Sequence, residues 1–331
     1  MVKKERIFIW DNLKFILIFL VVLGHFADFH TATSLNMKRL FLYIYIFHMP
    51  LFIFISGLFS KKTINEKRYK KIFEYLILYI GMKILFFIVD LIINKDTSFS
   101  LISEGGLPWF ILAIMWFNLI TIFLNKLNPK YLLTVSIILA CFIGYDASIN
   151  DTLAISRTIV YYPFFLSGYY LDPSKVVNFC KQKKIQILSV IFIIISLILC
   201  FFLIKSIYQF RPLLTGRNPF HTLGKYEPYG CILRFLYYIG VSIFIISIIA
   251  LTPTKETIAS NLGQRSIQVY MLHWPMIQIF YQVFDGKAFL KASGTYVTMV
   301  QIALLLTIFL SLKIFEKPIN VLKTIKLKEK D

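Results

Sequence analysis

The chain has 331 residues, 58% of them hydrophobic and only 16% charged, with a formal net charge of +19 and a mean hydropathy of +0.71. A soluble domain carries about 25% charged residues, and a core helix is seldom apolar all round for 20 residues. A soluble globular fold is therefore excluded, and the positive charge, which lies between the apolar runs, reads as membrane topology rather than as a nucleic-acid surface.

Ten apolar segments follow in chain order: residues 7–29, 38–58, 72–93, 107–125, 131–147, 155–172, 185–205, 230–251, 266–285 and 296–317. Each is near the length a helix needs to cross a bilayer. Loops of Lys, Asn, Gly, Pro and Asp separate them, with no internal repeat and no low-complexity linker. The expected fold is all-α: a polytopic transmembrane helical bundle of about ten spans, formed as a single domain over residues 1–331. The first run is too long for the apolar core of a signal peptide and has no small-residue cleavage site after it. The four cysteines, Cys141, Cys180, Cys200 and Cys231, are not at metal-ligand spacing. They read as small apolar residues, and no metal site is expected.

The loops set the orientation. The N-terminal MVKKER, the KKTINEKRYKK loop after the second segment, the loop with Lys175, Lys181, Lys183 and Lys184, and the tail LKTIKLKEKD are all basic. An even number of spans puts all four on one side, the cytoplasm, with both termini there. The loops with Asp96 and Glu104, then Asp146 and Asp151, fit the opposite face. Residues 206–229 break the pattern, because they are basic (Arg211, Arg217, Lys225) yet fall outside. Either a span is miscounted or this loop is a candidate functional surface, and the fit of every other strongly biased loop favours the second.

A charge in hydrocarbon costs about 2.5–3.5 kcal/mol even on the lenient insertion scale, so each ionisable residue inside a segment needs a partner, a wet cavity or a task. Asp11, Lys14 and His25 share one face of the first segment, and Lys14 and His25 are separated by about 16 Å along the axis. His48 and His273 lie in the second and ninth segments. Lys83 and Asp90, two turns apart on one face, are expected to neutralise each other. Arg234 lies near the outer interface, where it either snorkels or is buried. From the residues alone, Asp11 and Lys14 read as an interfacial ion pair and the histidines as packing residues, or equally as a polar pathway.

The stretch DNLKFILIFLVVLGHF (residues 11–26) resembles the first span of the acyltransferase family 3 membrane proteins, which place a histidine eleven residues after a basic residue, here Lys14 and His25. FHMPLFIFISG (47–57), PWFILAIMWF (108–117), RTIVYYPFFLSGYYL (157–171) and LGQRSIQVYMLHWPM (262–276) resemble further motifs of that family in the same order. The branch is closest to the fucose 4-O-acetylase-like polysaccharide acetyltransferases. Two departures stand out. Lys14 replaces the arginine frequent in relatives, and Arg68-x-x-Lys71 is the nearest match to their RxxR motif.

The resemblance implies a membrane O-acetyltransferase of the bacterial plasma membrane. It would move an acetyl group from cytoplasmic acetyl-CoA to a hydroxyl of a cell-surface polysaccharide or its lipid-linked precursor, with no bound cofactor. His25 is then the general base or nucleophile, and Lys14 stabilises the donor while Asp11 holds it. Arg68 and Lys71 bind CoA phosphates or simply serve topology, and Trp109, Arg157 and His273 face the acceptor. The rival reading is a transporter or flippase of a lipid-linked sugar, which intramembrane charges fit as well. It lacks the paired, Gly/Pro-broken halves expected of such folds.

Overall fold

The computed structural model describes residues 6–94, 97–149, 151–294 and 296–324. Lys3, Lys4 and Glu5 of the basic N-terminus, Asp96 and the tail beyond Thr324 lie outside the described residues. Each of the ten apolar segments is occupied by a helix: α1 (Phe8–Asp28), α2 (Leu35–Phe59), α3 (Tyr69–Asn94), α4 (Trp109–Leu124), α5 (Pro129–Phe142), α6 (Ile155–Tyr170), α7 (Lys183–Ile207), α8 (Gly230–Leu251), α9 (Ser266–Gln282) and α10 (Tyr296–Leu310). Short helices lie between them, and one isolated backbone bridge, Ser103 to Thr152, takes the place of any sheet among the described residues. By length and composition five helices are able to cross a bilayer, and a sixth joins them if Tyr296–Leu310 and Lys313–Leu322, bent by 58°, form one span. The helices of 14–17 residues are shorter than a full crossing.

Lipid-facing and inner helices differ in what they bury. α7 exposes Ile187, Leu188, Ile191, Ile194, Ile195, Ile198 and Phe202. So large an apolar surface is intolerable in water and natural against acyl chains. α1 and α2 bury nearly continuous faces from Ile9 to Ala27 and from Met37 to Leu58. They form the centre of the bundle.

Two glycines let α2 and α6 touch backbone to backbone. A Cβ on Gly57 would sit 2.1 Å from the Phe165 carbonyl oxygen, and one on Gly168 would sit 2.1 Å from that of Phe54. This small-residue crossing is the device membrane helices use when no hydrophobic drive favours helix over lipid. Prolines break the helical ladder inside α2 (Pro50), α6 (Pro163) and α9 (Pro275). Each frees a carbonyl one turn back that must find another donor. For Pro50 the freed carbonyl is Ile46, and the Tyr237 hydroxyl lies 3.5 Å from it.

At the start of α1, Asn12 is 1% exposed. Its amide donates to the carbonyls of Pro253 and Lys255 at 2.9 Å each, and its oxygen accepts from Thr257 at 2.5 Å and Ser260 at 2.6 Å. A buried amide with every group used pins the segment after α8 to α1. Lys181 donates to Ala250 and Thr252 nearby, and Trp10 meets Phe59 with ring centroids 6.1 Å apart. The basic loops 61–71 and 175–184 and the segment 253–257 therefore gather at one end of the bundle. Residues 211–218 cover the other end, where Arg211 pairs with Asp28 at the end of α1.

One expectation needs correction, and one open alternative is decided. Lys83 and Asp90 do not neutralise each other, because two turns separate them by about 10 Å along the axis. Lys83 pairs instead with Glu104 at 3.3 Å and Asp90 accepts from Gln278 at 2.8 Å. Arg234 does not snorkel either. It is 1% exposed, donates to the Leu213 carbonyl and lies over the Phe220 ring at 5.6 Å, tying residues 211–215 to α8.

Candidate active site

A cavity of about 600 Å³ opens at the end of the bundle where α1 finishes and α2 begins. α1 lines it with His25 and Asp28, α2 with Tyr45 and His48, α6 with Arg157 and Tyr161, and α9 with Tyr270 and Trp274. The turn Gly105–Leu107, Trp109 and residues Arg211, Arg217 and Asn218 close the rest of the wall.

His25 is half-buried on this wall. Gly24 beside it matters for space, since a Cβ there would lie 3.1 Å from the Tyr45 ring. That close approach brings the Tyr45 hydroxyl to 3.3 Å from His25 Nδ1. The His25 ring also packs 5.4 Å from His273 and 5.5 Å from Trp274, centroid to centroid.

The other two histidines have their tautomers fixed. His48 Nδ1 lies 2.8 Å from the Ile44 carbonyl, and His273 Nδ1 lies 3.0 Å from that of Val269. A carbonyl only accepts, so Nδ1 carries the proton and Nε2 of each neutral ring presents a lone pair. His273 Nε2 is buried with no protein partner. His25 has a freer choice, because the Tyr45 hydroxyl donates or accepts. When it accepts from Nδ1–H, Nε2 of His25 is the basic nitrogen.

Arg157 is 6% exposed. It donates to the carbonyls of Glu104, Gly105 and Gly106 at 3.2–3.3 Å and lies 5.0 Å over the Trp109 ring. It thereby fixes the turn that closes one side of the cavity. The chain entering α6 is strained, since Leu153 and Ala154 have φ of 48° and 54° without being glycine. Such residues cost about 1–3 kcal/mol each and cluster at functional sites. Here they feed the backbone into the helix that carries Arg157, while Leu153 N donates to Ile102 and Glu104 N to the Asp151 carbonyl, both at 2.7 Å. Glu104 is fully buried behind the turn, and burial pushes its carboxyl above the usual range against the pull of Lys83. Trp109 stacks on Tyr161 at 5.3 Å, and the Tyr161 hydroxyl donates to the Leu214 carbonyl at 2.6 Å.

The structure thus gathers His25, Trp109 and Arg157 on one cavity wall, with His273 against His25. It does not bring Lys14, Asp11, Arg68 or Lys71 there. Lys14 pairs with buried Asp11 at 2.7 Å, and Arg6 holds the same carboxylate at 2.7 Å, near the other end of α1. Arg68 pairs with Glu66 at 2.6 Å on the exposed surface at that same end, and Lys71 is exposed there. Sequence reasoning missed Tyr45, Tyr161, Trp274 and the Asp28–Arg211 pair as parts of the site, and left His48 unassigned. A signal for His48 existed: His48-Met-Pro50 and His273-Trp-Pro275 share the pattern His-x-Pro, and both rings make the same bond to the carbonyl four residues back. Among the described residues no group of three or more His, Cys, Asp or Glu side chains is arranged to hold a metal ion.

A helical membrane protein whose cavity is walled by two imidazoles and three arginines, with a third imidazole packed behind, is the class this architecture defines. The family model described as "Acyltransferase domain" matches residues 7–315, nearly the whole chain, and the chain belongs to that family, acyltransferase family 3. It is also similar to the nodulation protein NolL of Sinorhizobium fredii, 28% identical over 177 residues. That match covers 48% of this chain and spans about half, 47%, of the relative's length. No solved structure matches the chain.

Proposed function

We propose that the protein is an O-acetyltransferase of the bacterial plasma membrane, moving an acetyl group from cytoplasmic acetyl-CoA to a hydroxyl of a surface polysaccharide or its lipid-linked precursor. The observation that carries this reading is His25, which lines a cavity of about 600 Å³ while the Tyr45 hydroxyl lies 3.3 Å from its Nδ1. With Nδ1–H donated to Tyr45, Nε2 removes the proton from the acceptor hydroxyl. The hydroxyl oxygen attacks the thioester carbonyl, the C–S bond breaks, and the imidazolium returns the proton to the departing CoA thiolate. Attack by Nε2 itself, forming an acetyl-imidazole first, uses the same geometry.

The acceptor side of the cavity has aromatic and donor groups suited to a sugar, Trp109 and Tyr161 among them, with Arg157 ordering the turn that closes it. His273, packed on His25, keeps that ring in place. Lys14, Arg68 and Lys71 lie at the opposite, basic end, where they draw the anionic donor, and Asp11 orients Lys14. Ten spans with both ends in the cytoplasm would put that basic end on the side of acetyl-CoA, and the basic 206–229 loop outside.

Purified protein supplied with labelled acetyl-CoA and surface glycan tests the proposal. Label passing to the glycan, with the O-acetyl signal visible by NMR, is the expected result. Unchanged acetyl-CoA together with movement of the unmodified glycan across vesicles would replace the reading with transport.

A further inference from the structure

The cavity wall carries more cation than it needs. Three guanidinium groups face it, those of Arg157, Arg211 and Arg217, and Asp28 is the one carboxylate among the lining residues. Arg211 is matched by Asp28 at 3.0 Å and Arg217 by Asp151 at 3.3 Å. Behind the turn Lys83 is matched by Glu104. Among the described residues, Arg157 alone of the three arginines makes no ion pair. Its partners are three neutral carbonyls at 3.2–3.3 Å, longer than the 2.7–2.9 Å expected of charge-assisted bonds. Its Nε is buried with no partner at all.

Arginine keeps its charge under any ordinary condition. The carboxylates of Asp151 and Glu104 lie near Arg157 without touching it, and Arg217 opposes their effect. A buried cation with no carboxylate in contact is costly, and the cost falls when an anion enters beside it. We infer that the acceptor of this enzyme is an anionic glycan whose carboxylate or phosphate docks against Arg157 in the cavity that holds His25. The inference rests on the acyl-transfer reading of that cavity and narrows its substrate class. Three of the five N–H groups on the planar fork of Arg157 are given to the turn carbonyls, and the remainder can make charge-assisted bonds to either anion. A neutral sugar would leave Arg157 with no anion in contact in a site from which it displaces water.

The test uses the full chain in nanodiscs of neutral lipid, titrated calorimetrically with three probes: trigalacturonate, galactotriose and a glycerol-phosphate trimer. At least one anionic probe should bind about tenfold or more tighter than galactotriose, which corresponds to about 1.4 kcal/mol. The preferred anion then distinguishes a uronic-acid glycan from a phosphate-linked polymer. Arg157→Gln should abolish the preference, whereas Arg157→Lys, which keeps the charge without the fork, should retain part of it. If the glutamine variant does not fold, the lysine variant and the wild-type probe series still decide the matter. Equal affinity for the three probes, or no binding of any, overturns the inference. So does competitive displacement of the anionic probe by CoA, which would assign Arg157 to the donor.

Acetyl transfer to the same probes separates the two claims. Transfer to galactotriose as fast as to the anionic probes, unchanged by Arg157→Gln, sinks the anionic acceptor and leaves the transferase. Binding of the anion through Arg157 without acetyl transfer to any glycan does the reverse.

Discussion

Replacing His25 with alanine tests the chemistry most directly. A positioned general base contributes about 10²–10⁴-fold to rate, equal to about 3–5 kcal/mol of barrier at 1.36 kcal/mol per tenfold. The folding cost should be smaller. His25 borders a cavity of about 600 Å³, so losing its ring enlarges an existing opening rather than creating a sealed void, the case that costs about 2–5 kcal/mol. A companion change, Tyr45→Phe, keeps the ring stacked on Phe41 at 3.8 Å and removes only a hydroxyl 3.3 Å from Nδ1. A bond of that length has little strength to lose, about 0.5–1.5 kcal/mol, so the rate should fall by a few-fold to tenfold. The assay is CoA thiol release with glycan acceptor, normalised to protein in the membrane. A His25→Ala rate within about tenfold of wild type would refute the assignment. A Tyr45→Phe loss as deep as that of His25→Ala would move the proton-transfer role to the phenol.

Gly57→Ala places a methyl 2.1 Å from the Phe165 carbonyl oxygen; α2 and α6 must separate, and a loss of about 1–3 kcal/mol or more should appear as a lower melting temperature in detergent, while an unchanged melt would contradict the backbone crossing. Asn12→Leu removes both bonds to Pro253 and Lys255 and both acceptor sites for Thr257 and Ser260, so monodisperse protein on size exclusion should nearly vanish; Asn12→Asp, which sets a carboxylate oxygen against both carbonyls in a buried site, should do comparable harm. Lys14→Met should leave folded yield near wild type, because Arg6 still pairs with Asp11 at 2.7 Å; its effect should fall on acetyl-CoA dependence, and a collapse in yield would show Arg6 to be no substitute. Reporter fusions should place residues 61–71 in the cytoplasm and residue 217 outside; a cytoplasmic signal at 217 would reverse the direction of transfer.

What was legible in the sequence was whatever depends on local pattern. Apolar length alone located the ten helices, because each segment must satisfy its own backbone bonds in lipid wherever it packs. The stripe of Asp11, Lys14 and His25 was equally visible, since residues a whole number of turns apart share a face. Trp109, Arg157 and His273 came from the motifs that carry the family resemblance, and the fold brings them to or beside the cavity of His25.

Partner choice among buried charges was not legible, for a geometric reason. Sequence reasoning pairs residues along one helix, yet a carboxylate seven residues from an ammonium lies about 10 Å away, beyond contact. Lys83 therefore reaches Glu104 in the following loop, Asp90 takes Gln278 from α9, and Asp28 takes Arg211 from a segment more than 180 residues later. The same logic changes the expected consequence at Asp11, where Arg6 supplies a second cation that the one-turn rule had no reason to count. The 206–229 loop follows from it too. Its charges defied the topology rule because they answer to the cavity beneath: Arg211 closes on Asp28 and Arg217 on Asp151. A basic loop that breaks the charge pattern of its neighbours is thus best interrogated through its carboxylate partners, and here the one cavity arginine left without such a contact among the described residues is where an incoming anion would find its place.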